Sequence, residues 1–211
     1  VNPFIDLFRW LSDNPGFSLT RICADDFGSA LKQLESLRTQ ASIFRLAGAV
    51  AGLLLKPSKC VIVVSCCILT DALVEAIRTW LAVEIPEFKD FNIASSGKYL
   101  GWHLGVNGTA LSYSNPLKKL EVRVHEVVGG RAPATTSILR YNQRAVTVLS
   151  YVSQFAHPPG DAKIPDVDMW CVHKILRMPQ RCFSRKLCHS ISVCIEVDPI
   201  PLSAYCSANM I

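Results

Sequence analysis

Apolar and polar positions follow two periods along this chain, and the place where one gives way to the other marks its main division. Up to about residue 106, short apolar runs of strand length are interleaved with repeats every three or four residues; beyond it only the helical repeat continues. Phe4, Ile5, Phe8 and Leu11 hold helical spacing behind Asn2-Pro3, which suits an N-cap and first helical residue, so a helix is predicted over 2–11, ended by Asn14-Pro15-Gly16. Phe17 to Ala24 then reads as a strand that delivers the adjacent carboxylates Asp25 and Asp26. From Ser29, the residues Leu31, Leu34, Leu37, Ala41 and Phe44 predict a long helix to about Ala47, with Lys32, Glu35 and Arg38 facing water.

Leu53-Leu54-Leu55, the polar Lys56-Pro57-Ser58-Lys59 and Cys60 to Val64 predict a β-hairpin. Thr70 is placed to cap a helix running through Leu73, Ile77 and Leu81, and Asp71 in its first turn suits the helix dipole. Phe91 to Ala94 and Lys98 to Leu104 predict a second strand pair, turned at Ser95-Ser96-Gly97. After Asn107-Gly108 three helices are expected. The first runs through Leu117, Leu120, Val124 and Val127-Val128 to Gly129-Gly130, and the second through Ile138, Tyr141, Ala145, Val148-Leu149 and Val152 to His157-Pro158-Pro159. The third carries Val167, Trp170-Cys171 and Ile175 between Pro165 and Pro179. No internal repeat is evident, and the apolar residues after about Arg185 show no clear period.

The expected fold class is therefore α+β, with the break near Val106 to Ser112. The 211 residues, 50% of them apolar and 18% charged, are enough to bury a sizeable core and exclude a disordered chain. The chain begins at Val1 in the middle of an amphipathic pattern, which reads as a fragment or a truncated gene model. Residues 1–110 hold 10 basic and 10 acidic side chains, and residues 111–211 hold 12 and 7, so the net charge of +5 lies wholly in the second half. That bias suits a polyanion partner there; a solvated helical face suits it equally.

Nine cysteines (23, 60, 66, 67, 171, 182, 188, 194 and 206) make an odd count with no secretory leader ahead of them. Reduced thiols in an intracellular protein, nuclear or cytoplasmic and not secreted, are expected, with those in apolar runs such as Val61 to Leu69 behaving as small hydrophobes. His189 and Cys194 have the spacing of half a zinc knuckle with Cys171 and Cys182 upstream, but no Cys-x-x-Cys supplies the other half, so apolar or incidental thiols are expected in place of zinc. The most apolar stretch, Leu46 to Leu55, falls far short of the roughly 20 residues that span a bilayer, and no membrane span is predicted.

The chemistry starts from Ile22-Cys23-Ala24-Asp25-Asp26. Two adjacent carboxylates at the end of an apolar run are costly near a core, because ionised side chains are rarely buried unless paired or bound to a metal. Successive strand residues point to opposite faces, so one carboxylate can face a cleft while the other shapes the turn. Such a pair suits Mg2+, which takes one or two protein carboxylates plus substrate phosphates. A turn that merely caps the helix from Ser29 is the competing reading, and the dipeptide alone favours it.

Two motifs further along the chain reverse that preference. Cys23-Ala24-Asp25-Asp26, then a helix, then Leu53-Leu54-Leu55-Lys56-Pro57-Ser58-Lys59-Cys60, then Lys98-Tyr99-Leu100-Gly101-Trp102-His103-Leu104-Gly105 resembles a reverse transcriptase, more narrowly the polymerase of a non-LTR (LINE-type) retrotransposon. In that family an aromatic-Ala-Asp-Asp hairpin carries catalytic aspartates. A Gly-Leu-x-Leu-Asn-x-x-Lys-x stretch follows the next helix, and a Lys-Tyr-Leu-Gly hairpin grips the primer end. The resemblance covers about residues 1–105 by motif; Arg140-Tyr141-Asn142 and Leu149-Ser150-Tyr151-Val152 resemble the segment beyond the primer grip.

The resemblance implies a partial polymerase palm over 1–106, made of short antiparallel strands with helices packed on them. An all-helical thumb-like region over 107–180 and a tail over 181–211 of unassigned structure would follow. It also implies RNA-directed DNA polymerisation in a full-length parent, with an RNA template, a DNA primer, deoxynucleotide triphosphates and Mg2+. Asp25 would coordinate Mg2+ directly with Asp26 in support, and Lys59 would orient or protonate the leaving pyrophosphate. Tyr99, Leu100 and Gly101 would form the primer-grip turn. Lys118, Lys119, Arg123, Arg140 and Arg144 would touch phosphates of the hybrid duplex, positioning it without reading sequence. Cys23 departs from the family's Tyr or Phe.

Two metal ions about 3.5–4 Å apart need more carboxylates than one Asp pair supplies. The family takes a third aspartate from an earlier strand, and only 24 residues precede Asp25, where Asp6 and Asp13 are poor substitutes. The chain by itself is therefore expected not to polymerise. The alternative is a non-catalytic nucleic-acid-binding or interaction protein derived from a decayed retroelement.

Overall fold

A computed structural model describes residues 3–13, 18–23, 26–180, 182–190 and 196–210. It is a mixed α+β fold that divides into two compact units, Val1–Val106 and Asn107–Ile211.

In the first unit, helix α1 (Pro3–Asp13) leads to the antiparallel pair β1 (Ser18–Cys23) and β2 (Asp26–Leu31). A 3-10 turn at Leu34–Ser36 then enters α2 (Leu37–Ala51). The long helix expected from Ser29 therefore starts eight residues later, at Leu37. Residues 29–31 instead complete β2, because Thr20 and Ser29 face each other in the pairing and bond through their hydroxyls at 3.2 Å. The every-third leucines at 31, 34 and 37 suit the end of a strand followed by a 3-10 turn as well as they suit an α-helix.

The hairpin expected over 53–64 does not form. Leu53 to Leu55 takes no strand pairing, and after the 3-10 turn Pro57–Lys59 the strand β3 (Val61–Val63) pairs in parallel with β4 (Asn92–Ala94). Helix α3 (Asp71–Glu84) is the crossover between them, the kind of connection a parallel pair requires. Thr70 caps that helix as expected, its hydroxyl accepting from the Leu73 N–H. The strands of this unit are thus not all antiparallel.

The second expected strand pair also changes partners. β4 bonds to β3, and the antiparallel hairpin is β5 (Ser96–Tyr99) with β6 (Trp102–Gly105), turned at Leu100-Gly101 and not at Ser95-Ser96-Gly97. Both turn residues have positive φ, 48° and 86°, as a two-residue turn matched to strand twist demands. The core joins α2, α3, the 3-10 turn Pro86–Phe88 and β4 through Leu37, Ala41, Ile77, Leu81, Phe88 and Ile93.

The second unit is helical. Helix α4 (Gly108–Gly129) buries Tyr113, Leu120, Val124 and Val127 on one side. The single helix expected around 138–152 is a run of changing pitch: α5 (Ala134–Arg140), a π turn over Tyr141–Ala145, a 3-10 turn over Val146–Leu149, and α6 (Ser150–Ser153). Helix α7 (Ile164–Ile175) follows, taking Pro165 into its first turn and ending ahead of Pro179. The tail contributes α8 (Arg185–Cys188) and α9 (Leu202–Ala208), which buries Leu202 and Cys206. No helix among the described residues is long and apolar enough to cross a membrane.

Candidate functional site

Alternation along β1 and β2 gives their hairpin two faces. Thr20 and Ile22 share the inner face with Phe27 and Ser29, where Phe8, Phe27 and Phe44 form an aromatic cluster with ring centroids 4.7 to 5.1 Å apart. Gln40 of α2, itself buried, donates to the Ser29 hydroxyl at 2.6 Å. Aromatic packing and this hydroxyl–amide chain fix the hairpin on α1 and α2.

Asp26 opens β2 opposite Cys23, exposed, and on the outer face that also carries Arg21 and Gly28. Its place in a strand removes the reading in which it caps a helix from Ser29. Asp25, with Ala24, lies outside the described residues. The outer face is met by Tyr99. A Cβ on Gly28 would stand 2.9 to 3.2 Å from three atoms of the Tyr99 ring, and the Tyr99 hydroxyl donates to the Arg21 carbonyl at 3.1 Å. Gly28 is required there because any side chain would displace the ring. Tyr99 is the last residue of β5, so the turn residues Leu100 and Gly101 directly follow a side chain seated on the Asp26 hairpin. The spacing of 78 residues gave no sign of this contact.

The β5–β6 hairpin is held from its other end by β3. Cβ atoms on Gly97 and Gly105 would meet the Val63 side chain at 2.7 and 2.8 Å. Lys59 stands just ahead of β3, exposed at the end of the 3-10 turn, where its N–H bonds to the Lys56 carbonyl. Tyr99 thus sits on the hairpin face that carries Asp26, and Lys59 lies two residues ahead of β3.

In the second unit the five basic candidates separate by surroundings. Arg123 is paired to Glu126 at 2.7 Å. Lys118 lines a groove of about 510 Å3 with Glu121, Asp161, Lys163 and Asp166, a setting of mixed charge; Lys119 is exposed on the same helix. Arg140 and Arg144 are exposed on the run of changing pitch, with Arg140 lying over Gly130.

Sequence reasoning missed the buried polar centre of this unit. Asp168 is fully buried in α7. One carboxylate oxygen accepts from Arg185 Nε at 3.1 Å and His189 Nε2 at 2.9 Å, and the other from the Leu202 N–H at 3.3 Å. His189 Nδ1 faces the Pro199 carbonyl at 2.8 Å. Both ring nitrogens thus face acceptors, which only the imidazolium satisfies. Burial lowers the His189 pKa, but the hydrogen bonds to Asp168 and Pro199 and the Asp168 charge outweigh it, and the net shift is upward. The signal was an aspartate on the apolar stripe Ile164, Cys171, Val172, Ile175 of one helix.

His189 therefore serves an ion pair; Cys171 is buried, Cys182 is exposed, and Cys194 lies outside the described residues. Burial pushes the Cys171 thiol upward and the Cys206 thiol up to about 11. Cys66 and Cys67, expected to pack as small hydrophobes, are exposed on the loop after β3 with their sulfurs 3.8 Å apart. In that loop Val64 and Leu69 pack against the core, whereas Cys66, Cys67 and Ile68 between them stay exposed. Among the described residues no group of three or more His, Cys, Asp or Glu side chains could hold a metal ion. Of the two adjacent carboxylates only Asp26 lies among the described residues, exposed at the start of β2.

No protein-family model matches the chain, and searches of curated proteins and of solved structures found no significant match.

Proposed function

We propose that the first unit is the C-terminal part of a reverse-transcriptase palm, from an RNA-directed DNA polymerase of the non-LTR retrotransposon type, and that the second unit is its thumb. The observation that carries this reading is the seating of Tyr99 on the outer face of the β1–β2 hairpin. It couples the two motifs that the resemblance assigns to catalysis and to the primer end, 78 residues apart in sequence.

In this reading Asp25 and Asp26 hold Mg2+, which when bound neutralises charge on the reacting phosphates. Tyr99 fixes the distance between that hairpin and the Leu100-Gly101 turn, and the turn's bare Gly101 lets the primer backbone approach. Lys59 supplies a positive charge and a proton toward the leaving pyrophosphate. Two carboxylates suffice for one ion, so a second requires a carboxylate from elsewhere in the parent protein. The test is extension of a DNA primer on an RNA template by the longest reading frame containing this chain: Asp25→Ala should abolish it, and undiminished extension removes Asp25 from the site.

A second reading, a non-catalytic nucleic-acid-binding protein of the same descent, is favoured by the basic excess of the second half. It predicts binding that weakens with salt but no dependence of any activity on Asp25 or Asp26.

A further inference from the structure

Between Glu126 and Asp161 the chain runs for 34 residues without a carboxylate side chain while carrying Arg131, Arg140 and Arg144. Most of that segment is the run of changing pitch from α5 to α6. One side of it is buried through Ile138, Tyr141, Ala145, Leu149 and Val152. The other side presents Arg140, Arg144, Thr147, Tyr151 and Phe155, all exposed, at steps of four, three, four and four residues. Tyr151 and Phe155 are 40% and 54% exposed, with ring centroids 5.2 Å apart and planes at 66°.

Two adjacent aromatic rings on a surface leave apolar area in water, and here they continue a line that begins with two cations. Three cations elsewhere in the unit have carboxylate neighbours: Arg123 at Glu126, Arg185 at Asp168, and Lys118 in the groove with Glu121, Asp161 and Asp166. On this stripe the segment supplies none.

We propose that the stripe is a binding site for single-stranded nucleic acid, with phosphates at Arg140 and Arg144 and bases stacked on Tyr151 and Phe155. Cations alone would serve any polyanion, but exposed rings add affinity only where base faces are open, and in a duplex they are covered by neighbouring pairs. With a helical rise of roughly 1.5–2 Å per residue, the stripe from Arg140 to Phe155 is on the order of 25 Å long, room for several nucleotides. The site uses no residue of the Asp26 hairpin, and it departs from the resemblance, which would put Arg140 and Arg144 on phosphates of a hybrid duplex, in requiring unpaired bases.

The test is fluorescence anisotropy with the full chain, using labelled oligo(dT) and oligo(U) of about ten nucleotides and an RNA–DNA hybrid of the same length. Tyr151→Ala with Phe155→Ala should cost single-strand affinity roughly tenfold or more and leave the salt slope unchanged, and Tyr151→Trp should retain binding. Arg144→Ala should instead flatten the dependence of log K on log salt by about 0.7. Asp26→Ala should change neither, so loss of the polymerase reading is seen separately. Arg140 rests over Gly130, so Arg144→Ala is the cleaner charge variant, and unchanged far-ultraviolet ellipticity checks that each variant folds. Wild-type affinity in the double aromatic variant, equal affinity for the hybrid, or no single-strand binding at low salt would overturn the proposal.

Discussion

Replacing Asp168 by Asn tests the buried centre of the second unit with almost no change of shape. The carboxylate is fully buried and serves Arg185, His189 and the Leu202 N–H. Asn retains one acceptor for Leu202 but turns an amide N–H2 toward two donors. Breaking a buried ion pair by removing one partner costs about 3–5 kcal/mol. Arg185 is 36% exposed and can recover hydration, which lowers the expectation to about 2–4 kcal/mol.

The pH dependence gives a second signature. The folded-state pKa of His189 is raised, so its contribution is fully present below the unfolded value of about 6.5 and is lost as pH rises through the folded value. Without the Asp168 charge, burial dominates and protonation of His189 becomes unfavourable. The gap between wild type and Asp168→Asn should therefore be widest near pH 5.5 and narrower at pH 8. Amide hydrogen exchange of Leu202–Ala208, compared between the two proteins at the same pH so that intrinsic rates cancel, measures it. Equal protection in both proteins, or a gap that widens as pH rises, would refute the assignment of His189 as the protonated partner of Asp168.

Other consequences are as direct. Gly28→Ala should push the Tyr99 ring aside and break its hydrogen bond to Arg21, costing about 1 kcal/mol in thermal unfolding; Tyr99→Leu should absorb most of that cost, and strict additivity of the two changes would contradict the contact. Iodoacetamide should label Cys66, Cys67 and Cys182 in the native protein and reach Cys171 and Cys206 only on unfolding, as peptide mapping would show; early labelling of Cys171 would contradict its burial.

Elements whose pattern and caps agree were legible in the sequence: the Thr70-capped helix, the long helix after Asn107, and the helix that ends ahead of Pro179. Strand pairing was not. A leucine run beside a polar turn looks like half a hairpin, yet Val61 to Val63 finds its partner 31 residues away, across a helix. Local sequence carries no record of which distant strand will pair. The start of α2 was misread because leucines three apart serve a strand end and a 3-10 turn as well as a helix. At the candidate site, residue types could be named from the motifs, but the meeting of Tyr99 with Gly28 belongs to the tertiary fold alone. Asp168 was passed over although a carboxylate on an apolar helical stripe is a visible sign of a buried ion pair.

The central proposal turns on whether the Asp25-Asp26 hairpin is catalytic. RNA-templated primer extension by the longest reading frame that contains this chain, with wild type, Asp25→Ala and Asp26→Ala side by side, measures it most directly. Mg2+-dependent extension by wild type that disappears in Asp25→Ala is the predicted result. Absence of extension by the wild-type frame, or extension that survives Asp25→Ala, would contradict it.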